Sequence, residues 1–408
     1  MSVKYRTRGQ YKVEFPLSQV EQFDVFYTGL EIRQKIRQHD IATIRVRTTK
    51  LKWLDAFPTG APVTITYHGQ DRILGTFVGY VTNIRPVLAE EEGYYMRDIV
   101  CVAASRDLRA TARQTYRNRT APEIVQAIGK QIGFRVVTQQ HGLRRPTVTH
   151  SGDTYWEFLT KLAKRTGYVL RVEGTTILFM PLPDLIKMYI SRAPFLTDYA
   201  DMGTVGNEPP NVHSIDAWAG DTSDDPDDLS DSTTYTAIEP TTGRVHNERQ
   251  TPTSALHRGV TSRSPYDRYP SDVAVHSRED ARLLAKGAAD NGMMAFDTKM
   301  TVAGESGLKP YRPVTLNVKD GALDGTWVVK EAVHRLAKGQ YTCDVVVSTE
   351  SVVGGAVGGS RGARKTRDLG AEVAQGVAPD IMDVSRLKSM TTGPGAGMTG
   401  STGRWVAR

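Results

Sequence analysis

Few residues in this 408-residue chain have the types and spacing that chemistry needs. His334 sits in GTWVVKEAVHRLAKGQYTCDVVV, residues 325–347, where a general base on a strand could be built. The nine histidines are scattered, and no HExxH or other close metal-ligand pair is present. No GxSxG elbow, P-loop or Cys-His signature occurs. A hydrolase would need a general acid, and Asp153 or Glu157 is the candidate. Both are better explained as residues of a helix N-terminus, where the dipole favours acids. Cys101 and Cys343 lie in the apolar runs IVCVAA and YTCDVVV and read as buried free thiols. That use of cysteine predicts a cytoplasmic site of folding. The acidic run DTSDDPDDLSD could bind calcium, but it lacks the EF-hand pattern and reads as a solvated or partner-ordered loop. Arg106, Arg109, Arg113 and Arg117 share one face if their segment is helical. A phosphate-contacting stripe is one reading. A solvated face or an intersubunit contact is the favoured one, because aromatic interleaving is absent. No catalytic, cofactor-binding or metal residue is assigned, and no cofactor is implied.

The elements that would position such residues belong to a globular protein. The hydrophobic share is 39% and the charged share 24%. The length suits two or three domains. No apolar run approaches the roughly 20 residues that span a bilayer, so no stable membrane insertion is expected. The N-terminus MSVKYRTRGQYKVEF carries no signal-peptide core. The net charge of +7 is small for this length and reads as solubility rather than a nucleic-acid partner.

Residues 23–105 predict a β-rich unit, with strands at FDVFY, IATIRVRT, PVTITYH, ILGTFVGYVTNI and MRDIVCVAA. LEIRQKIRQ predicts a short helix between the first two. From Arg106 the pattern changes. Thr120 and Glu123 have capping-box spacing, Ile124, Ile128 and Ile132 share a face, and Gly133 stops the helix. A second helix starts near Asp153 as its cap, lines Trp156, Leu159 and Ala163 on one face and ends at Gly167. YVLRV and TTILFM then read as a hairpin. The stretches EIVQAIGKQIGFRVV and EFLTKLAKRTGYVLR match without a gap, which predicts two like helix–Gly–strand units in one small α/β domain. Residues 182–210 read as a Pro-punctuated crossing segment, and NVHSIDAWAG as a strand. Residues 221–272 read as a long polar insertion. SREDARLLAKGAADNG predicts a helix with Ala281, Leu284 and Ala288 on one face and Gly292 as its stop. Strands follow at FDTKMTV, PVTLNV, GTWVVKEAVHRL and QYTCDVVVS. After Val353 the chain is Gly-rich and reads as a flexible or partner-ordered tail.

The most informative pattern is a repeat. PVTITYHGQDRILGTFVGYVTNI, from Pro62, matches PVTLNVKDGALDGTWVVKEAVHRL, from Pro313, in PVT, turn and GT-aromatic-Val. The flanking order also recurs: strand, short helix, strand, PVT strand, GT strand and a Cys-bearing strand. One fold used twice is expected, with the copies side by side in one barrel or ring wall. Alternation places Trp327, Val329 and Val333 on one face, and Lys330 and His334 on the other with Val328 and Ala332. Phe77 and Val81 fall where Trp327 and Glu331 do. Scaffold grammar recurs here and His334 does not, so His334 reads as a wall or interface residue.

Two stretches carry a family resemblance. RRPTVTHSGDTYWEFLTKLAKRTGYVLRVEGTTILF and AGESGLKPYRPVTLNVKDGALDGTWVVKEAVH resemble the phage tail baseplate hub, or late control protein D, family. The hub part of type VI secretion spike proteins is related to it. The resemblance implies a mainly β fold with an α+β insert: two tube-like β-barrel or sandwich domains flanking a small α/β domain. The expected division is 1–105, 106–182, 183–350 and a Gly-rich tail at 351–408. It implies a structural, non-enzymatic hub of the distal tail (baseplate or tail tip), made in the host bacterial cytoplasm and residing in the virion. It also implies a homotrimer forming a pseudo-hexameric ring, because a threefold protein meeting a sixfold tube must present two near-equivalent edges per subunit. Implied partners are the tail tube or distal tail protein, the tape measure protein, and central spike or tail fibre proteins, with DNA in transit. No β-helix spike or lysozyme domain is recognisable, which favours a siphophage-like tip or a hub that binds a separate spike. A tail-associated cell-wall hydrolase is the alternative.

Overall fold

The computed structural model describes residues 9–15, 26–49, 57–69, 74–87, 94–198, 210–221, 232–239, 242–251, 267–268, 275, 277–291, 294, 296–318 and 323–349. The Gly-rich tail, Gly292 and all of the acidic run but Asp221 lie outside the described residues. The first block contains β1 (Gln10–Glu14), β2 (Phe26–Lys35), β3 (Ile41–Thr48), β4 (Pro62–His68), β5 (Gly75–Val87) and β6 (Tyr95–Ala103). The helix expected at LEIRQKIRQ is absent, because β2 runs through it. Leu30, Ile32 and Gln34 are buried while Arg33 and Lys35 are exposed, which is a period of two. The chain then turns over residues 36–40 into β3.

A 3₁₀ turn (Ala104–Arg109) leads into β7 (Thr111–Arg119), α1 (Ala121–Ile132), β8 (Arg135–Thr138), β9 (Arg145–Thr154), α2 (Tyr155–Thr166), β10 (Val169–Glu173), β11 (Thr176–Met180) and α3 (Leu182–Tyr189). The condition for a shared arginine face, a helical segment, is therefore not met. Arg106 and Arg109 lie on the 3₁₀ turn, and Arg113 and Arg117 on β7, which pairs with β9. The two helix–Gly–strand units are present. Each helix has a complete capping box, Thr120 with Glu123 and Thr154 with Glu157, and each ends on a left-handed glycine, Gly133 or Gly167. Their strands β8 and β10 flank β11 in one sheet. The cap of α2 is Thr154, not Asp153, whose carboxylate instead binds Lys161 at 2.7 Å. Thr154→Ala is expected to cost about 1 kcal/mol. Asp153→Ala, at an exposed pair, is expected to stay within about 0.5 kcal/mol. Thermal melts of the two variants check the assignment. The crossing segment expected at 182–210 opens with α3, which buries Leu185, Ile186 and Tyr189.

The second block contains β12 (Phe195–Thr197), β13 (Val212–Asp221), β14 (Ser232–Ile238), β15 (Val245–Gln250), β16 (Asp267–Arg268), α4 (Arg278–Asn291), β17 (Phe296–Ala303), β18 (Pro313–Asn317), β19 (Gly325–Ala337) and β20 (Gln340–Thr349). The polar insertion at 221–272 is not simply a loop. β14, β15 and β16 form a small sheet whose Tyr235 and Ala237 pack on Ala281, Leu284 and Ala285 of α4. α4 also meets α2 closely: a Cβ added to Gly287 would lie 1.8 Å from the Gly167 Cα. Between β19 and β20, Lys338 and Gly339 take φ of 51° and 74°, the two-residue turn that suits a twisted hairpin.

Both blocks share one 12-stranded sheet, in which β4-β5-β6-β3-β2 of the first is repeated as β18-β19-β20-β17-β13 of the second. Irregularities coincide as well. Thr82 bulges from β5 opposite Cys101 and Val100, and Lys330 bulges from β19 opposite Val347 and Val346. Carried across the paired strands, this match lays Thr28 of β2 on His213 of β13, and each of those is also a bulge. Gly60 and Tyr311, whose N–H groups donate to Val81 and Val329, both have positive φ, 90° and 66°. The bulges correct the sequence alignment. Val81 coincides with Val329 rather than Glu331, and Cys101 with Val347 rather than Cys343. The GT motif of β5 lies two residues further from its bulge, a slip that keeps every side chain on its face. The bulge at Lys330 also inverts the expected alternation beyond it. Ala332, not Val333, joins Trp327 and Val329 in one buried cluster with Val345 and Val347 of β20.

Candidate functional site

The residues singled out for chemistry are dispersed and satisfied. His334 is fully buried on β19. Its Nε2–H donates to the Leu308 carbonyl at 3.1 Å, and its Nδ1 accepts from the Tyr341 hydroxyl at 2.8 Å. Burial, reinforced by the nearby Lys309 ammonium, pushes its pKa down to about 3. It is a neutral core histidine rather than a solvent-facing wall residue. Glu157 is held by the backbone and hydroxyl of Thr154, which keeps its carboxyl below the usual range. Cys101 and Cys343 are buried free thiols, and burial pushes their pKa values up. Among the described residues no group of His, Cys, Asp and Glu could hold a metal ion. None of their helices is long and apolar enough to cross a membrane.

What the structure does build is a seam. β2 of the first block pairs antiparallel with the C-terminal half of β19, from Glu331↔Lys35 to Ala337↔Gly29. Behind it, Tyr67 of β4 packs on His334 at 5.4 Å between ring centroids and on Tyr341 at 6.1 Å. His334 thus sits where the two blocks meet. The other face of the seam is a wall of paired charges. Arg45 grips Asp98 with two bonds of 2.8 and 3.0 Å on the first block. Glu31 takes Arg33 at 2.6 Å and, across the seam, Arg335 at 3.0 Å. Arg335 also pairs with Asp344, and Lys35 with Glu331 at 3.3 Å. Burial pulls the Glu31 pKa up, but the two guanidiniums outweigh it and hold the carboxyl low.

A second construction locks the small α/β unit against both blocks. β10 alternates Arg171 and Glu173. Arg171 forks onto Asp40, before β3, at 2.7 and 2.6 Å, and both partners are buried. Glu173 takes Arg312, before β18, at 2.6 Å. Gln34 adds a 2.8 Å bond to Asp40. Burial alone would raise the Glu173 pKa, yet Arg312, Lys309 and Arg171 outweigh it and bring it down to about 2. No sequence signal marked this clamp, because Asp40 and Arg171 are 131 residues apart.

A doubled block, an internal edge-to-edge seam and a buried clamp are what the described residues assemble. The family model of the phage tail baseplate hub matches residues 43–340, and the chain belongs to that family. Its role is accordingly structural and lies in the distal phage tail. Two solved tail proteins share the fold. The tail protein of Neisseria meningitidis MC58 is 14% identical, with a TM-score of 0.58, covering 84% of this chain and 97% of that one. The 43 kDa tail protein of prophage MuSo2 from Shewanella oneidensis is 15% identical, with a TM-score of 0.55, covering 84% and 98%. A component of the Escherichia coli type VI secretion system is 12% identical, with a TM-score of 0.48, covering 85% and 80%. No curated protein sequence matches the chain.

Proposed function

We propose that three copies of this chain form a pseudo-hexameric ring that adapts the sixfold tail tube to the tip and surrounds the channel for DNA. The observation that carries this reading is the doubled block joined at β2 and β19: one chain already contains two like units, set edge to edge. Three such chains present six units, which resolves the mismatch between threefold and sixfold parts. In this reading residues 1–105 and 183–350 are tube-like domains, residues 106–182 are the insert clamped to both, and residues 351–408 are a tail ordered by partners. The tail tube or distal tail protein would sit on one side. The tape measure protein would occupy the bore, and spike or fibre proteins the far side. The paired-charge wall suits a bore surface. Guanidiniums already answered by Asp98, Glu31 and Asp344 hold a passing phosphate backbone weakly. No catalytic residue takes part.

Particle imaging tests the proposal. A ring of three chains with sixfold-like symmetry at the tail end is expected. A monomer in the assembled virion, or a ring lacking that symmetry, overturns it. Clearing of host peptidoglycan by the purified chain would instead indicate a hydrolase.

A further inference from the structure

The clamp leaves buried donors unanswered. Arg171 uses both terminal nitrogens on Asp40, and Arg312 uses one on Glu173. The Nε–H of each arginine is buried and has no partner among the described residues, and the same holds for the Tyr67 hydroxyl. Tyr67 is fully buried and Arg171 nearly so. Orphaned polar groups at such depth are rare, because each loses water and gains nothing in return.

These donors gather where the α/β unit meets both blocks. Arg171 and Glu173 alternate on β10, so their side chains leave one face about 7 Å apart. Arg312 is brought there by its 2.6 Å bond to Glu173. Lys309 shares a tight turn with Arg312, whose N–H donates to the Lys309 carbonyl at 3.0 Å. The preceding residue, Leu308, holds the His334 ring by its carbonyl, and the Tyr67 ring packs on His334. Lys309 is half-buried, and among the described residues its ammonium makes no ion pair or hydrogen bond.

The charges at this junction do not balance. The ionic groups that act most strongly on Lys309 are Arg312, Glu173, Arg171 and Asp40. With Lys309 they set three cations against two carboxylates. Burial, followed by Arg312, pushes the Lys309 pKa down to about 8, so the ammonium still prevails at pH 7. A net charge in a buried cluster is unfavourable unless a counter-ion joins it. Water would accept from the orphaned donors but leave that charge in place, whereas one monovalent anion answers both. We infer that the junction binds a single halide-sized anion, chloride in ordinary solution, between Lys309 and Arg312, with the Tyr67 hydroxyl and the Arg171 Nε–H beside it. The orphaned acceptor at the junction, Gln34 Oε1, lies on the Asp40 side, which places the ion at the Lys309 end. Lys309 is also the more exposed member and gives the ion its way in. The site lies within one chain and does not require the ring.

Urea unfolding of the full chain tests the site. Midpoints are measured at pH 7 in sodium chloride and in sodium gluconate, whose anion is far larger than a halide, at equal ionic strength. Once the site is filled, each tenfold rise in chloride is expected to raise the folding constant about tenfold, the linkage of one ion. Lys309→Met removes the excess charge and with it the demand for an anion, so its midpoint should be alike in the two salts. Its difference from the wild type cancels general salt effects. Tyr67→Phe keeps the ring and removes one donor, and should shift the chloride response to several-fold higher concentration. Bromide soaked into crystals of the wild type should give an anomalous peak beside Lys309 and Arg312. Equal wild-type midpoints in chloride and gluconate overturn the site, and so does a chloride response that Lys309→Met retains in full. Absence of bromide from the junction overturns it independently, even where a variant fails to fold.

Discussion

Asp40→Ala is expected to destabilise the chain by about 3–5 kcal/mol, far more than loss of any charge on the exposed wall. Arg171 is buried, and its fork onto Asp40 at 2.7 and 2.6 Å is what compensates the guanidinium for lost water. An arginine cannot escape by losing its proton. Removing the carboxylate therefore leaves an uncompensated buried charge and strips Gln34 of its acceptor. The double variant Asp40→Leu with Arg171→Met removes both charges and is expected to cost less than either single change. Glu31→Ala, on the wall, should stay within about 1 kcal/mol. Denaturant midpoints of the four chains check the ordering. An Asp40→Ala chain as stable as the wild type would mean that water reaches Arg171. The same clamp has a pH signature through Glu173. Its folded pKa of about 2 lies below the ordinary carboxylate value, so its contribution is full above about pH 4.5 and is lost as pH falls toward 2.

The clamp explains why part of the molecule was readable in sequence and part was not. Local devices were readable. Thr120 with Glu123 and the left-handed Gly133 each involve residues a few positions apart, and both helices of the α/β unit follow from such signals. The repeat was readable because PVT and GT-aromatic-Val are backbone grammar for a hairpin. A one-residue bulge was not. Lys330 looks like any alternating residue, yet it exchanges Ala332 and Val333 between faces. β2 misled for another reason. Leu30, Ile32 and Ile36 among charged residues fit a helix as well as a strand, and only pairing with β3 and β19 decides. α3 carries a helical signal in Pro183 of its first turn and in Leu185, Ile186 and Tyr189 behind it, but the flanking prolines Pro181 and Pro194 give the segment the look of a crossing loop. Pairs such as Asp40–Arg171 and Glu173–Arg312 depend on the tertiary fold alone.

Acidification below about pH 6.5 is expected to weaken the seam, and His334 is the main cause. In the unfolded chain a histidine titrates near 6.5, whereas the buried ring titrates at about 3. Above pH 6.5 both states hold it neutral and its stabilising bonds are intact. As pH falls, the unfolded chain binds a proton that the core refuses, and stability drops by about 1.4 kcal/mol per pH unit. Between pH 6.5 and 4.5 the loss reaches about 3 kcal/mol, and it ends only near the folded value. His39, lowered to about 4 by burial and by Arg109, acts in the same direction, but partial exposure weakens its share. Glu173 responds only below about pH 4.5, so the window above that separates its loss from that of the histidines. His334→Gln keeps a donor for the Leu308 carbonyl and an acceptor for the Tyr341 hydroxyl. It should reduce the slope of stability against pH by about one proton in that window, even if it costs stability at pH 7. Tyr341→Phe removes one bond to the ring, at about 1 kcal/mol, and should leave the slope in place. Denaturant titrations at half-unit pH steps separate these outcomes. An unchanged slope in His334→Gln would mean that the ring takes up its proton in the folded chain and that the seam is wet.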